Sequence, residues 1–479
     1  MLDLRRVFRN LSATTLMRLA SALLSFALFA LLARRWSTGE VGAYATILAI
    51  FTILQQAPLL GLHLVLGRDT AAKRESRRRH AVNSAAIALA SSIVIAALVA
   101  VVGRAIYPPS MHPALALMAL SLVPTALIVV EESILWGEER MATVMAVNFF
   151  ENGVRVAGSA ILLFLGYGLT AVWACFLAGR FVSLAAYWFG AGLRDAFSLS
   201  DLDSAMIRRY LWMSPTFAGI LAASASINRI DFLLLSKLGR LEDVGYYAAA
   251  YRINEIALMA PITLSVVLFP VFSRVHAASE AQFASLLRGV LRLEFIVGMP
   301  LALLIVILAQ PLLTLLFGAG YAASTPVLRL LIFVPVLAGL DQALTSVQLV
   351  HARQGDDLRV LWGAALAYVV LLLVLIPRYG SIGAAIATLA TGFLQLAMRY
   401  GSTRRAGIVP PLTGLLVRPV LAALIMCGVM ALTAELGDAA RIVAPLAAYV
   451  AALWALGAVT RADLSRFARG FAVAPGAGT

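Results

Sequence analysis

Residues 81–102 read AVNSAAIALASSIVIAALVAVV, a run without a single charged side chain. A helix of about 20 apolar residues crosses about 30 Å of hydrocarbon, so this run predicts a membrane-spanning α-helix. Similar runs occur along the whole chain, and they predict about fourteen spans. Their approximate limits are 11–33, 42–66, 81–102, 113–136, 142–164, 168–190, 210–235, 245–273, 289–309, 324–350, 360–377, 381–399, 412–433 and 441–459.

The composition of the 479-residue chain agrees with this pattern, because 62% of it is hydrophobic and only 13% is charged. Soluble domains carry roughly 25% charged residues. Fourteen spans leave room for short connectors only, and the longest predicted outer connector is 310–323. The run 11–33 is longer than a typical signal-peptide core, so we expect an uncleaved first helix. These features predict an all-α membrane protein without a large soluble domain.

The distribution of Lys and Arg predicts the orientation of the spans. With the N-terminus inside, cytoplasmic segments contain 24 of the 38 basic residues and outer segments contain seven. Such a bias is typical of multi-pass proteins of the cytoplasmic (inner) membrane, and it places both termini in the cytoplasm. Topology therefore accounts for the net charge of +14 without a nucleic-acid partner. Cys175 and Cys427 lie inside spans and the five histidines are dispersed, so we predict no disulfide, metal site or cofactor.

An internal repeat divides the spans into two groups. Residues 40–45, EVGAYA, match residues 243–248, DVGYYA, at an offset that also aligns Pro58 with Pro261. Each copy joins one long span to the next, and six spans separate the copies, which gives a parallel repeat about an axis along the membrane normal. We expect two six-helix lobes and two further helices. The predicted domains are 1–200 for spans 1–6, 201–405 for spans 7–12, 406–460 for spans 13–14 and 461–479 for a cytoplasmic tail.

Pro58 and Pro261 are predicted to lie inside helices, where proline removes a backbone hydrogen bond and kinks the chain. They are candidate hinges for an alternating-access transporter. A static bend that shapes helix packing is an equal alternative.

Charged residues within the spans are the candidate binding groups, since each costs about 2.5–3.5 kcal/mol at mid-span on insertion scales. The first group comprises Arg18 in span 1, Glu151 and Arg155 in span 5, and Arg180 in span 6. Glu151 and Arg155 have the spacing of an intrahelical ion pair, so a structural role is as well supported as a functional one. Glu131 and Glu132, near the inner end of span 4, are interpreted as interfacial.

The second group lies in spans 7 and 8. Arg229 and Asp231 lie two residues apart and point in different directions, whereas Arg252 and Glu255 share a helix face. These four side chains form either a structural cross-helix network or a polar wall that binds an anionic headgroup. Arginine suits the second task, because its planar guanidinium grips phosphate oxygens in pairs and stays charged.

The sequence resembles the polysaccharide-transport, or O-antigen flippase, family of the multidrug/oligosaccharidyl-lipid/polysaccharide exporter superfamily. The resemblance is carried by LLARR at 31–35, EVGAY at 40–44, DFLLL at 231–235, DVGYY at 243–247, Tyr251-Arg252 and LFP at 268–270. It implies basic cavity residues in spans 1, 7 and 8, which match Arg18 and Arg252 and, less closely, Arg229. Related lipid II flippases also carry an Arg in span 1, so the resemblance leaves the cargo open.

The function implied is outward transport of an undecaprenyl-pyrophosphate-linked oligosaccharide for O-antigen or exopolysaccharide export. Polysaccharide polymerases or export proteins are expected partners beside the bilayer. An alternative is a cation-coupled exporter of small molecules that uses Asp231 or Glu255, although span 1 lacks the acidic residue of many drug exporters. A membrane enzyme is disfavoured, because the outer connectors are short and no catalytic motif is present.

Overall fold

The protein folds into α-helices, as shown by a computed structural model that describes residues 4–55, 57–59, 66, 77–190, 199–409, 413–433 and 435–458. Within these ranges there is no β-strand, which confirms the predicted fold class. The helices are α1 Leu4–Arg35, α2 Thr38–Leu54, α3 Arg77–Ile106, α4 His112–Gly137, α5 Met141–Phe164, α6 Leu169–Ala185, α7 Ser204–Leu238, α8 Leu241–Ala278, α9 Glu280–Phe317, α10 Thr325–Leu331, α11 Val334–Val350, α12 Gln354–Arg405, α13 Thr413–Leu432 and α14 Asp438–Ala455.

These helices follow the predicted spans, with two local differences besides the earlier end of α2. Span 10 is divided between α10 and α11, and α12 contains spans 11 and 12 on either side of Gly380, whose φ of 54° and ψ of −129° break the helix. Eight helical stretches in the described ranges are long and apolar enough to cross a membrane, and α2 and most of α14 are shorter apolar helices. The chain is therefore a multi-pass membrane protein.

The prediction that Pro58 lies inside a helix is wrong. Helix α2 ends at Leu54, and Pro58 lies in a short 3-10 helix at Ala57–Leu59. Proline supplies no backbone N–H to the preceding turn, and it disfavours the α conformation of the residue before it. Pro261, by contrast, lies inside α8. The two prolines therefore occupy different local structures, and their hinge role stays a prediction.

Spatial clustering divides the chain into two compact units. Unit 1 comprises 1–249, 316–321 and 369–384, and unit 2 comprises 250–315, 322–368 and 385–479. In unit 1, Ile134, Val144 and Tyr187 belong to one continuous buried core. In unit 2, the last two helices pack on α9, and the Tyr449 hydroxyl donates to the Ile296 carbonyl at 3.0 Å. The predicted domain limits stay predictions.

The two copies of the repeat have the same local structure at the starts of α2 and α8. Glu40 accepts a hydrogen bond from the Ser37 amide at 2.9 Å, and Asp243 accepts one from the Arg240 amide at 3.2 Å. The acidic residue of each motif therefore caps its own helix, which satisfies an amide that the first turn leaves unbonded. The valine after it is fully buried in both copies.

The glycines of the two motifs lie at a reciprocal helix crossing within unit 1. A Cβ on Gly42 would lie 1.8 Å from the Leu241 carbonyl oxygen, and a Cβ on Gly245 would lie 2.1 Å from that of Thr38. Leu241 precedes Gly245 by four residues, as Thr38 precedes Gly42. Each motif therefore contacts the equivalent backbone of the other, as a local two-fold relation requires. Only glycine permits so close an approach.

Candidate functional site: a polar cavity in unit 1

A polar cavity of about 290 Å³ lies among α1, α5 and α6 of unit 1. Four of its polar residues come from one face of α5, because positions 148, 151, 152 and 155 follow helical spacing. Helix α1 contributes two serines and an alanine, and α6 contributes one arginine. The lining residues are Ser21, Ala22, Ser25, Asn148, Glu151, Asn152, Arg155 and Arg180.

An interhelical ion pair forms one wall of this cavity. The Glu151 carboxylate lies 3.3 Å from the Arg180 guanidinium and accepts a hydrogen bond from the Ser183 hydroxyl at 2.8 Å. The two charged side chains are 7% and 15% exposed, respectively. Sequence spacing suggested a partner for Glu151 on its own helix, at Arg155, but no local partner for Arg180. The pairing depends on how α5 and α6 pack.

Arg155 connects α5 to α1. Its guanidinium donates to the Ser25 hydroxyl at 3.2 Å and, through a short hydrogen bond, to the Asn152 side-chain oxygen. Asn152 in turn donates to the Ser21 carbonyl at 2.7 Å. These bonds place a cation beside the polar positions of the first helix.

Aromatic rings cover the apolar sides of both guanidinium groups. Arg155 and Arg180 lie 5.3 Å and 5.1 Å from the centre of the Phe176 ring, and Arg180 also lies 5.4 Å from that of Phe51. Such contacts stabilise a desolvated cation by up to about 2 kcal/mol. The buried Arg180 Nε has no hydrogen-bond partner among the described residues. Both arginines line the cavity, so their guanidinium groups are the cations that an anion in it would meet.

A second polar layer lies behind the cavity. Glu132 accepts hydrogen bonds from Asn148 at 2.9 Å and from the Tyr187 hydroxyl at 3.0 Å. Glu131 is only 1% exposed and lines a separate, largely apolar cavity of about 370 Å³ with residues that include Phe181. Glu131 and Glu132 thus lie on a helix, α4, that packs in the interior of unit 1, and their interpretation as interfacial stays a prediction.

Asp231 is a buried acceptor that joins α7 to α8. Its carboxylate accepts a hydrogen bond from the Tyr247 hydroxyl at 2.6 Å and another from the Phe232 amide at 2.9 Å. Tyr247 belongs to the second copy of the repeat and is fully buried. Arg229 is half-buried, with its guanidinium 5.4 Å from the centre of the Phe232 ring. These contacts support a packing role for Asp231.

The remaining predicted residues either are not among those that line this cavity or have side chains outside the described part of the chain. In unit 2, Arg252 and Glu255 form an ion pair of 2.8 Å, which confirms that they share a helix face. The backbone of Arg18 belongs to α1, but its side chain lies outside the described residues.

Unit 2 contains a buried charge network that was not predicted from the sequence. Arg399 is 2% exposed and donates to Asp341 and to Gln348, both at 2.7 Å, and through a short hydrogen bond to Asp357. Gln395 donates to the other Asp341 oxygen at 2.8 Å. Asp341 is the only acidic residue of predicted span 10, and a lone carboxylate within an apolar span could have indicated that it needs a buried partner. Arg399 is the last residue of predicted span 381–399 and had been counted among the cytoplasmic basic residues.

Comparison with known proteins identifies the family. Residues 31–326 match the family model described as polysaccharide biosynthesis protein. The chain belongs to this family. Membership confirms the predicted resemblance to flippases of the multidrug/oligosaccharidyl-lipid/polysaccharide exporter superfamily.

A second model, lipid II flippase MurJ, matches residues 213–450. A probable lipid II flippase MurJ of Vibrio cholerae serotype O1 is 25% identical over 220 residues, which is 43% of this chain and 40% of that relative. The match thus spans well under two thirds of the relative's length.

Solved structures show that this chain shares its fold with membrane transporters. Lipid II flippase MurJ in an inward closed conformation superposes with a TM-score of 0.78 at 14% identity, covering 95% of this chain and 99% of that one. An inward-facing multidrug resistance MATE family transporter superposes with a TM-score of 0.64 at 15% identity, covering 81% of this chain and 95% of that one. A transporter of the MOP superfamily from Pyrococcus furiosus superposes with a TM-score of 0.52 at 16% identity, covering 83% of this chain and 93% of that one.

Proposed function

We propose that this protein is a flippase that moves an undecaprenyl-pyrophosphate-linked oligosaccharide from the inner to the outer leaflet for polysaccharide export. The observation that carries the proposal is the pair Arg155 and Arg180, which line one polar cavity among α1, α5 and α6. Family membership supports a lipid-linked cargo, and the repeat supports alternating access. Translocation of this kind needs binding groups and no covalent chemistry.

The charge of the cavity favours an anionic headgroup over a cationic drug. Its lining contains two arginines and one acidic residue, Glu151. Guanidinium groups bind phosphate oxygens with charge-assisted hydrogen bonds, roughly twice as strong as neutral ones. The volume of about 290 Å³ lies at the small end of ligand sites, roughly 300–1,000 Å³. We infer that the cavity binds the phosphate-bearing part of the cargo, with the lipid tail left in the bilayer.

Arg18 fits the same binding face by its position. Residues 18, 21, 22 and 25 of α1 have the spacing of one helix face, and the last three line the cavity. Arg252 and Arg229 are retained as further headgroup-binding candidates, each within its own unit. Docking of polysaccharide polymerases or export proteins, expected from the resemblance, stays a prediction.

A reconstituted flipping assay tests the proposal. Proteoliposomes would receive either an undecaprenyl-pyrophosphate-linked oligosaccharide or lipid II, and appearance in the opposite leaflet would be measured. Wild-type protein is compared with Arg155→Ala, Arg180→Ala and the double variant, and with Arg404→Ala as a control. Arg404 is exposed, and its guanidinium donates to the Tyr400 hydroxyl one turn earlier on α12.

We expect each cavity variant to lower the initial flipping rate at least tenfold and the control to leave it unchanged. Equal rates for the double variant and wild-type protein, at equal reconstitution, would exclude the anion-binding mechanism. Faster transport of lipid II than of the oligosaccharide would replace the proposed cargo while keeping the mechanism.

A cation-coupled exporter of small molecules is the second candidate, favoured by the buried Glu151 carboxylate within the cavity. The coupling carboxylates expected from sequence, Asp231 and Glu255, are instead engaged with Tyr247 and Arg252. Proton or sodium flux that depends on a drug, with no movement of lipid-linked saccharide, would favour this candidate.

A further inference from the structure

Two histidines and a glutamate converge at one end of unit 2, although they are dispersed in the sequence. His276 lies in the last turn of α8, Glu280 begins α9, and His351 directly follows α11. Helix α8 ends at Ala278, and the backbone continues helically into α9, because the Ser279 amide donates to the Val275 carbonyl. His276 and Glu280 therefore face the same side at i and i+4.

The three side chains have the geometry of a metal-binding group. The Glu280 carboxylate lies 2.9 Å from His276 Nδ1 and 3.3 Å from His351 Nε2. All three ligand atoms lie within 4.8 Å of one another. A tetrahedral Zn²⁺ with bonds of about 2.0–2.1 Å holds its ligands roughly 3.3 Å apart. The cluster needs little rearrangement to reach that spacing.

The surrounding contacts orient both imidazoles toward a common point. His351 Nδ1 lies 2.9 Å from the Val347 carbonyl, so it carries the proton and leaves the Nε2 lone pair facing the cluster. Histidines that bind metals usually donate their second nitrogen in this way. The fully buried Phe283 packs edge-on against both imidazole rings, with centroids 5.3 Å away in each case.

A buried nitrogen at the centre of the cluster lacks a hydrogen bond. His276 Nδ1 is shielded from solvent and has no hydrogen-bond partner of acceptable geometry among the described residues, although the Glu280 carboxylate is close. Leaving a buried polar atom unsatisfied costs about 1–3 kcal/mol. A cation between the carboxylate and the two nitrogens would satisfy all three groups.

We propose that His276, Glu280 and His351 bind a divalent transition-metal ion, with Zn²⁺ as the best match. Two imidazoles and one carboxylate form a common zinc ligand set, whereas Mg²⁺ and Ca²⁺ prefer oxygen ligands alone. The Glu280 side chain is 60% exposed, which leaves a path for the ion and room for water as a fourth ligand. The ion would tie the α8–α9 connection to the end of α11.

Zinc titration of the full-length protein tests this proposal. The protein would be purified in detergent without a polyhistidine tag, stripped with EDTA and titrated with ZnCl₂ against a chromophoric chelator. The variants are His276→Gln, Glu280→Gln and His351→Gln. His112→Gln is the matched control, because His112 belongs to unit 1 and contacts the Tyr107 carbonyl there, whereas the cluster belongs to unit 2.

We expect one tight Zn²⁺ equivalent in wild-type protein and in the control, and at least tenfold weaker binding in each cluster variant. Zn²⁺ should raise the melting temperature of wild-type protein, EDTA should reverse the rise, and the variants should show none. Comparing melting temperatures without metal shows whether a variant is misfolded, and Glu280→Gln keeps the size of the side chain. Unchanged Zn²⁺ affinity in all three variants, or stability that responds to pH but not to Zn²⁺, would overturn the proposal.

Discussion

The crossing of α2 and α8 at Gly42 gives the sharpest prediction from the structure. In a Gly42→Ala variant the new Cβ would lie 1.8 Å from the Leu241 carbonyl oxygen and 2.8 Å from its carbonyl carbon. Both atoms belong to the backbone, so no rotation of a side chain relieves the overlap. The two helices would have to separate by more than 1 Å, on the order of the missing van der Waals distance.

The expected cost combines two opposing contributions. Overpacking a well-packed interface typically costs about 1–3 kcal/mol, and a clash of backbone with backbone belongs at the upper end. Alanine in place of glycine within a helix recovers about 1 kcal/mol. We therefore expect Gly42→Ala to lower the free energy of unfolding by about 2 kcal/mol. Gly245→Ala should cost a similar amount, because its Cβ would meet the Thr38 carbonyl oxygen at 2.1 Å.

Thermal and denaturant unfolding of purified variants in one detergent would measure this effect. Gly39→Ala is the matched control, since it lies on the same helix and its Cβ would have only an ordinary contact of 3.8 Å with Glu242. The double variant is the decisive measurement. Once Gly42→Ala has separated the helices, Gly245→Ala should cost less than it does alone, because the two residues share one interface.

Two results would refute this reasoning. A Gly42→Ala variant whose free energy of unfolding lies within about 0.5 kcal/mol of the wild-type value would behave like an ordinary surface substitution. That result would show that the two helices separate without cost. Strictly additive losses in the double variant would show that the two glycines do not report on one shared contact.

Three further predictions concern other parts of the chain. Arg399→Met should lower the free energy of unfolding by about 3–5 kcal/mol, because it leaves the buried Asp341 without its cation; an unchanged denaturation midpoint would contradict it. The hydrogen bond from Arg79 holds the pKa of Asp203 below its ordinary value. This hydrogen bond therefore stabilises the fold fully at pH values above the pKa of Asp203 in the unfolded chain. The stabilisation disappears as the pH falls through the lower pKa of Asp203 in the folded protein. Thermal unfolding should accordingly separate Arg79→Gln from wild-type protein at pH 7, and a difference that persists in strong acid would refute this assignment. Gly380→Ala should cost about 1–3 kcal/mol, since φ of 54° with ψ of −129° suits glycine alone, and wild-type stability would contradict it.

The spans and the repeat were predictable because the membrane imposes strong rules on sequence. Backbone groups in hydrocarbon must be satisfied within a helix, so each crossing needs a long apolar run that composition reveals. The repeat was recognisable in the sequence because its motif residues have defined roles at the start of a helix, where the acidic residue caps the helix and the glycine permits a close crossing. Even the break at Gly380 lies between the predicted spans 360–377 and 381–399.

The partners of buried charges were not predictable, because they depend on how helices rotate against each other. Glu151 was correctly selected as a costly residue, yet its partner Arg180 lies 29 residues away on the next helix. Arg399 was placed at the end of predicted span 381–399, whereas α12 continues to Arg405 and Arg399 is buried. The prediction that Pro58 lies inside a helix was wrong for a local reason. Hydropathy extended predicted span 2 to residue 66, whereas α2 ends at Leu54.

The repeat also shows what family membership does and does not determine. In both copies the acidic residue caps a helix, the valine is buried, the glycine permits a close crossing, and the tyrosine is buried. The residues that carry much of the family resemblance therefore build the fold. Cargo recognition must depend on other positions, since a fold accommodates many functions and the site decides among them. Arg155 and Arg180 lie outside the repeat motifs, which agrees with the proposal that their cavity, and not the repeat, binds the cargo.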